Sequence, residues 1–267
     1  MSDGRIVAVP VTFTATGGRV TGDGLFTAGD TTGTHRILAA LQGGSLTDTA
    51  EITVTPTTAR NYTTTFPLTE NPISDSGRWV GGGSVGRDWT DVSTSPGLAI
   101  GHQVGASFTD ATAILTGDWG PNQRVTARAF TTRPNDECYQ EVEMRLRSTV
   151  APSRITGYEI SYKAAQGPEA YLIIVRWNGP LGDFTYLYNT RGDRFGLRTG
   201  DVVSARIVGN VITAYKNGQA MARVTDETFT SGNPGIGFNL VNKLPACRGT
   251  NSDYGFMSFT ATDFIPR

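Results

Sequence analysis

Apolar and polar side chains alternate along many short segments of this chain. In residues 9–15 the two valines, Phe13 and Ala15 share one face, while the two threonines take the other. Successive side chains of a β-strand point to opposite faces, so this pattern predicts a half-buried strand. About a dozen further strand-like segments lie between Asn61 and Ala261, separated by turn residues and without a helix-period segment. The pattern predicts an all-β protein.

Residues 201–219 carry the clearest turn signals. Gly209-Asn210 and Asn217-Gly218 each separate two strand-like runs. Asn and Gly accept the positive φ angles that two-residue hairpin turns require. We therefore expect three antiparallel strands joined by two tight turns in this stretch.

Composition supports the all-β prediction and excludes two kinds of partner. The 267 residues include 33 glycines and 13 prolines, which are typical of strands and turns. The formal net charge is -1, with both signs interspersed, so the basic surface needed for nucleic-acid binding is missing. No stretch approaches the roughly 20 apolar residues of a membrane span, and residues 1–18 lack the pattern of a signal peptide.

The N-terminal motifs resemble a known repeat. Residues 11–18 read VTFTATGG, residues 24–29 read GLFTAG, and residues 48–54 read DTAEITV. In this order they resemble the bacterial immunoglobulin-like (group 2 type) repeat of surface adhesins and phage structural proteins, which implies a small β-sandwich over residues 1–56. Such repeats normally carry one or two further strands before the first motif. Either the chain is an excerpt of a longer protein, or an edge is open to a partner's strand.

The C-terminal motifs resemble a second family. Residues 200–208 read GDVVSARIV, residues 209–218 read GNVITAYKNG, and residues 231–237 read SGNPGIG. They resemble the concanavalin-A-like lectin/glucanase and laminin-G-like domains, which implies a larger two-sheet jelly-roll sandwich over residues 62–267, after a linker at 57–61. This superfold hosts lectins, hydrolases, lyases and structural modules, so the resemblance predicts a fold rather than an activity.

A row of charges marks the segment after Cys138. The apolar side chains at 142, 144 and 146 are expected to face the core, which leaves a charged row on the other face: Glu141, Glu143, Arg145 and Arg147. Retaining glucanases of this fold carry three alternating acids there, the outer two as nucleophile and general acid. Arg145 stands at the third acid position, and alginate-lyase-like motifs match only in Glu143 and Arg145. We therefore expect no catalytic residues and interpret the row as a solvated salt-bridge ladder.

Aromatic side chains are the candidate ligand-binding residues, because sugars stack their apolar faces on exposed rings. Phe184, Tyr186 and Tyr188 are expected on one strand face, and the predicted glycan platform consists of Trp119, Trp177 and Tyr188. The alternative is core packing at strand ends.

Two further features of the sequence concern a metal ion and a disulfide bond. Oxygen-rich loops at residues 88–91, 118–122 and 251–253 and at Asp110 make bound calcium possible, although none has the spacing of a recognised calcium loop. We name no metal ligand and no other cofactor. Cys138 and Cys247 are the two cysteines, and we expect a disulfide between them, the alternative being two buried thiols.

The two resemblances imply three functions. The first is a non-catalytic structural or adhesive protein of a virion surface, such as a phage capsid decoration or fibre, with a capsid protein as partner and a homo-oligomeric state possible. The second is a carbohydrate-binding module of a secreted polysaccharide-degrading or adhesin protein, with a surface polysaccharide as partner. The third is a jelly-roll polysaccharide lyase or hydrolase. The expected location is accordingly the virion surface or the cell exterior.

Overall fold

The computed structural model describes residues 10–29, 33–54, 59–103, 108–133, 139–241 and 249–264. Within these ranges the protein is almost entirely β, as the alternation predicts. The chain divides into two compact units, Met1–Thr58 and Ala59–Arg267. Among the described residues, no helix is long and apolar enough to cross a membrane. Cys138, Cys247 and part of the expected linker lie outside the described residues, so the disulfide stays a prediction.

The smaller unit contains five short strands. Their bounds are β1 (Val11–Ala15), β2 (Gly18–Val20), β3 (Phe26–Ala28), β4 (Gly33–Leu41) and β5 (Thr47–Val54). Strands β1, β4 and β5 form an antiparallel sheet in that order, and β2 pairs with β3. None of the described residues of this unit is buried. Its assignment to the immunoglobulin-like repeat stays a prediction.

The larger unit consists of two antiparallel sheets. The first has seven strands in the order β15 (Phe184–Arg191), β14 (Tyr171–Gly179), β13 (Arg154–Lys163), β12 (Tyr139–Ala151), β19 (Asn233–Val241), β10 (Ala111–Leu115) and β7 (Trp79–Gly81). The second has the order β18 (Gln219–Thr225), β17 (Val211–Lys216), β16 (Val202–Val208), β11 (Gln123–Thr131), β20 (Tyr254–Asp263), β9 (Leu98–Gly101) and β8 (Val92–Ser95), and β6 (Asn61–Thr64) also pairs with β20. Short helical turns occupy Gly82–Gly86, Asp193–Phe195 and Asn251–Asp253.

The main core lies between these sheets. Along β11, Val125, Ala127 and Ala129 are buried and alternate with more exposed side chains. Phe238 of the seven-stranded sheet packs against Phe256 of the other sheet, with ring centroids 5.4 Å apart. This two-sheet sandwich confirms the predicted fold class.

The seven-stranded sheet also carries apolar side chains on its outer face, away from the main core. Along β14, Leu172 and Ile174 belong to the main core, whereas Ile173, Val175 and Trp177 belong to a second cluster. Trp89 and Ile155 complete the buried part of this second cluster. The sheet is therefore covered on both faces, which the sequence alternation did not predict.

A β-bulge interrupts the charged row on β12. The register with β13 shifts between Leu146 and Thr149, that with β19 shifts between Arg145 and Ser148, and Arg147 has φ 46°. The Arg147 guanidinium donates hydrogen bonds to the carbonyl oxygens of Pro121, Phe229 and Gly209, at 2.7, 2.9 and 2.7 Å. The prediction that Arg147 continues the row is wrong, because the bulge turns its side chain towards these loops.

Candidate functional site

The remaining charged row is buried instead of solvated. Glu143 and Arg145 have 0% of their surface exposed, and Glu141 has 9%. The second apolar cluster lies on this face of the sheet, and Arg145 Nη2 also donates to Oγ1 of Thr112 on β10, a strand of the same sheet. The interpretation of the row as a solvated ladder is therefore wrong, because its cover comes from residues distant in sequence.

Arg145 is the centre of a buried ionic cluster. Its Nη2 lies 2.6 Å from Glu143 Oε2 and 3.6 Å from Asp110 Oδ2. Its Nη1 lies 2.8 Å from Oε2 of Glu159, which faces Arg145 across the β12–β13 pair. The guanidinium also lies 5.7 Å from the centroid of the Trp177 ring. Because charges are costly to bury, such a cluster depends on each ion having a partner.

Acids outnumber the arginine in this cluster. Burial, followed by the charge of Glu159, raises the pKa of Asp110 well above its ordinary value, although Arg145 opposes the shift. The same causes raise the pKa of Glu143. One guanidinium does not offset three neighbouring carboxylates, so protonation of Asp110 and Glu143 relieves part of the negative charge.

Glu141 lies one step along the row with its own partners. The Tyr171 hydroxyl donates to its Oε1 and the Asn239 amide donates to its Oε2, both at 2.5 Å. Burial raises the pKa of Glu141 to about 7 although these hydrogen bonds favour the carboxylate. This carboxyl group can therefore gain or lose a proton near neutral pH.

A pocket opens beside this cluster on the outer face of the seven-stranded sheet. Its cavity volume is about 70 Å³, so it is a shallow recess that opens to the solvent. Its walls combine aromatic, aliphatic and hydrogen-bonding side chains, namely Phe108, Asp110, Glu141, Glu159, Ile173, Val175, Trp177, Phe184, Tyr186 and Asn239. Small-molecule sites typically have such mixed apolar and polar walls.

The aromatic residues form a continuous contact series from the sheet outwards. The ring centroids of Trp177 and Phe184 are 5.4 Å apart, and those of Phe184 and Tyr186 are 5.2 Å apart. Trp177 is only 3% exposed, and its Nε1 donates to Glu159 Oε2. Tyr186 is 53% exposed and offers its ring at the mouth.

The structure does not bring the predicted platform together. Trp177 lines the pocket, but Trp119 and Tyr188 pack against the main core. A β-bulge on β15 places Tyr188 opposite Ile174 and Tyr186 opposite Val175, so the two tyrosines face opposite sides of the sheet. The expectation that they share a face is wrong for this reason. Phe184 and Tyr186 line the pocket with Trp177, although the predicted platform does not include them.

Acidic side chains of the oxygen-rich loops accept hydrogen bonds from nearby backbone N–H groups. Oδ1 of Asp91 accepts the backbone N–H groups of Gly83 and Ser84, and Asp253 Oδ2 accepts that of Thr250. Among the described residues, the one group of acids close enough to share a metal ion is Asp110, Glu143 and Glu159, whose oxygens lie within 4.8 Å of one another. The Arg145 guanidinium already lies against these oxygens, so the group does not fit a calcium ion well.

Comparison with family models and with curated proteins gives no match. Solved structures do match. A β-agarase A in complex with oligoagarose has a TM-score of 0.50 at 10% identity, covering 77% of this chain and 93% of that one. A structure reported for endo-acting O-glycanases, with which human gut microbiota initiate mucin breakdown, has a TM-score of 0.50 at 11% identity. The match covers 76% of this chain and 99% of that one. The carbohydrate-binding module CBM66 of Bacillus subtilis has a TM-score of 0.46 at 9% identity, and the match covers 72% of this chain and 95% of that one.

These likenesses concern the fold. The larger unit is a two-sheet jelly-roll sandwich, and its fold is similar to that of these carbohydrate-active proteins, as the resemblance of residues 200–237 implies. At identities near 10% they carry no residue correspondence to this chain.

Proposed function

We propose that the protein binds carbohydrate in the pocket on the outer face of the seven-stranded sheet. The observation that carries this proposal is the combination of exposed aromatic rings and buried hydrogen-bonding groups within one pocket. Sugar rings present apolar C–H faces and hydroxyl groups, and the pocket offers partners for both. The fold likeness to a β-agarase and to an O-glycanase structure supports the same class of ligand.

Each wall has a distinct role in this proposal. The exposed ring of Tyr186, backed by Phe184, stacks on one face of a sugar. The carboxyl oxygens of Asp110 and Glu141 and the amide of Asn239 bind its hydroxyls. Aromatic and polar groups combined in this way fix both the position and the orientation of a small ligand.

The proposed role is binding without catalysis. Glu143 is fully buried against Arg145, so it has no access to a ligand in the pocket. Arg145 occupies the third position of the row, where a retaining glucanase would need its second acid. We propose a glycan outside the cell as the partner. The comparisons favour this hypothesis over a virion component, for which they give no support.

Hydrolysis is the second candidate, and one observation favours it. Glu141 lies in the pocket with a pKa near 7, as a general acid requires. Release of reducing ends from a polysaccharide panel tests this candidate. Turnover that disappears in Glu141→Gln, with the fold retained by circular dichroism, would establish catalysis and contradict the binding-only proposal.

Removal of the exposed ring tests carbohydrate binding. We expect the whole chain to be retarded in gels containing at least one polysaccharide from a panel of neutral, amino and acidic types. Tyr186→Ala should weaken the response at least about fivefold, because a stacking contact of roughly 1 kcal/mol is lost. Leu68→Ala removes an apolar side chain of similar exposure outside this pocket and should leave binding unchanged. Absence of binding across the panel would overturn the proposal.

A further inference from the structure

The pocket has an unusual charge for a sugar site. Its described lining includes three acids, Asp110, Glu141 and Glu159, and neither lysine nor arginine. Arg145 lies beneath the pocket, fully buried and held by Glu143 and Glu159. Lys163, opposite Glu141 on β13, is also buried and does not line the pocket. A ligand in this pocket therefore meets only negative or neutral groups of the described chain.

Asp110 supplies an independent sign that a ligand group belongs there. This residue is 4% exposed and lines the pocket. Its Oδ2 lies 3.6 Å from Arg145, but its Oδ1 has no hydrogen-bond donor among the described residues. A buried carboxyl oxygen without a donor costs free energy, which a donor from a ligand would recover.

The walls favour an organic cation over a metal ion. Oxygens suited to a metal lie against the guanidinium of Arg145, which already occupies the position that a metal ion would take between them. The ring of Tyr186 also lines the pocket and is 53% exposed. Aromatic faces attract ammonium groups through their negative quadrupole, and carboxylates accept the N–H bonds of such groups.

We propose that the pocket selects a saccharide carrying a protonated amino group, such as a glucosamine unit, with the ammonium directed at Asp110 and Glu141. This inference rests on the proposed carbohydrate-binding function and narrows its ligand class. The ammonium donates to Asp110 Oδ1 and takes the place of the proton that burial favours on this carboxyl group, which is released to the solvent. Uronate and sulfated saccharides are disfavoured because their anions meet acids and no cation in the described lining.

Calorimetric titration of the whole chain at pH 7 and low salt, where about half of Glu141 is ionised, tests this selectivity. The ligands are oligomers of equal length built from β-1,4-linked glucosamine, N-acetylglucosamine, glucose and glucuronate, so that only the substituent and its charge vary. We expect the glucosamine oligomer to bind at least about tenfold more tightly than the glucose oligomer, because it adds a hydrogen bond between charged groups. The glucuronate oligomer should not bind.

Charge-removing variants locate the effect. Asp110→Asn keeps the shape of the side chain, and it should reduce the ratio of glucosamine to glucose affinity by roughly tenfold. Glu169→Gln is the matched control, because its side chain is 62% exposed and lies outside the pocket lining. It should leave the ratio unchanged. If Asp110→Asn disturbs folding, Glu141→Gln repeats the test with Tyr171 and Asn239 still present.

The outcomes separate the two proposals. Equal affinity for the glucosamine and glucose oligomers, or preference for glucuronate, would overturn the amino-sugar inference and leave carbohydrate binding intact. A glucosamine preference that survives both Asp110→Asn and Glu141→Gln would also overturn it. If no oligomer or polysaccharide binds, the proposed function itself is wrong.

Discussion

Burial sets the acidity of Glu141 more than its neighbours do. Its carboxyl group accepts hydrogen bonds from Tyr171 and Asn239, which favour the ionised form, and yet its pKa is raised to about 7. The cost of removing the charge from water is the larger effect. The same cost raises the pKa of Asp110 and Glu143 around Arg145.

This shift predicts a pH dependence of stability. Below about pH 4.5, Glu141 is protonated in both the folded and the unfolded chain. Between about pH 4.5 and 7 the unfolded chain loses this proton while the folded protein keeps it, so the free energy of unfolding decreases as pH rises. Glu141 alone accounts for up to about 3 kcal/mol of this decrease. Urea unfolding of the wild type and of Glu141→Gln across this range should show a smaller decrease for the variant.

The exposed acid Glu169 provides the comparison. Its side chain pairs with Arg191 at the surface and is 62% exposed. Glu169→Gln should therefore reproduce the wild-type dependence on pH. Parallel curves for the wild type and Glu141→Gln would show that Glu141 is not the group whose proton affinity differs between the two states.

At the residue scale, the sequence predicts which face of a strand a side chain lies on better than it predicts whether that face is buried. Alternation along β12 places Glu141, Glu143 and Arg145 on one face, and the structure agrees. It gives no sign that this face is buried, because Asp110 and Trp177 come from segments more than 25 residues away in either direction. The pairing of Arg145 with Glu159 depends on the register of two strands, which a single-strand pattern does not contain.

At the element scale, the bulge on β12 depends on close approach of a neighbouring strand. Gly157 of β13 has φ 123°, and a Cβ there would lie 2.6 Å from the Arg147 carbonyl oxygen and from Ser148 Cα. Contacts this short with backbone atoms require the bulge itself to move. The three carbonyl contacts of Arg147 depend on that bulge.

Gly157→Ala should therefore destabilise the protein by more than the strain of a positive φ angle alone. Gly192 also has a positive φ, 143°, but a Cβ there has no neighbour within 4 Å. For Gly192→Ala we expect a loss of about 1–3 kcal/mol from the backbone conformation alone. Gly157→Ala adds the backbone overlap and should cost at least about 2 kcal/mol more, or prevent folding. Equal midpoints of urea unfolding for the two variants would contradict this account.

The positions of the strands are predictable from this sequence, whereas the β-bulges within them are not. Each segment expected as a strand between Asn61 and Ala261 is a strand, and the Asn217-Gly218 turn has the positive φ angles expected, 49° and 81°. The strand Val92–Ser95 was not predicted, because its Ser and Thr residues lack apolar alternation. Bulges reverse the side-chain face without a local signal, so the pocket position of Tyr186 could not be distinguished from that of Tyr188.

At the scale of the whole molecule, the two units differ in how much they bury. Every residue described as buried belongs to Ala59–Arg267, where the two sheets enclose the main core. In the smaller unit, Leu25 and Leu46 are more than half exposed and no described residue is buried. The larger unit also contains all the pocket residues, so we attribute the proposed binding to it.

This uneven burial has a calorimetric consequence. The heat-capacity increment of unfolding reports apolar surface that becomes hydrated, about 12–15 cal/mol/K per residue in an ordinary globular domain. If the smaller unit buried a normal core, its residues would add about 0.7–0.9 kcal/mol/K to the increment of Ala59–Arg267. Differential scanning calorimetry of the whole chain and of Ala59–Arg267 should instead give nearly equal increments, about 3 kcal/mol/K. In its heat capacity, the 267-residue chain should then unfold like a protein of about 200 residues.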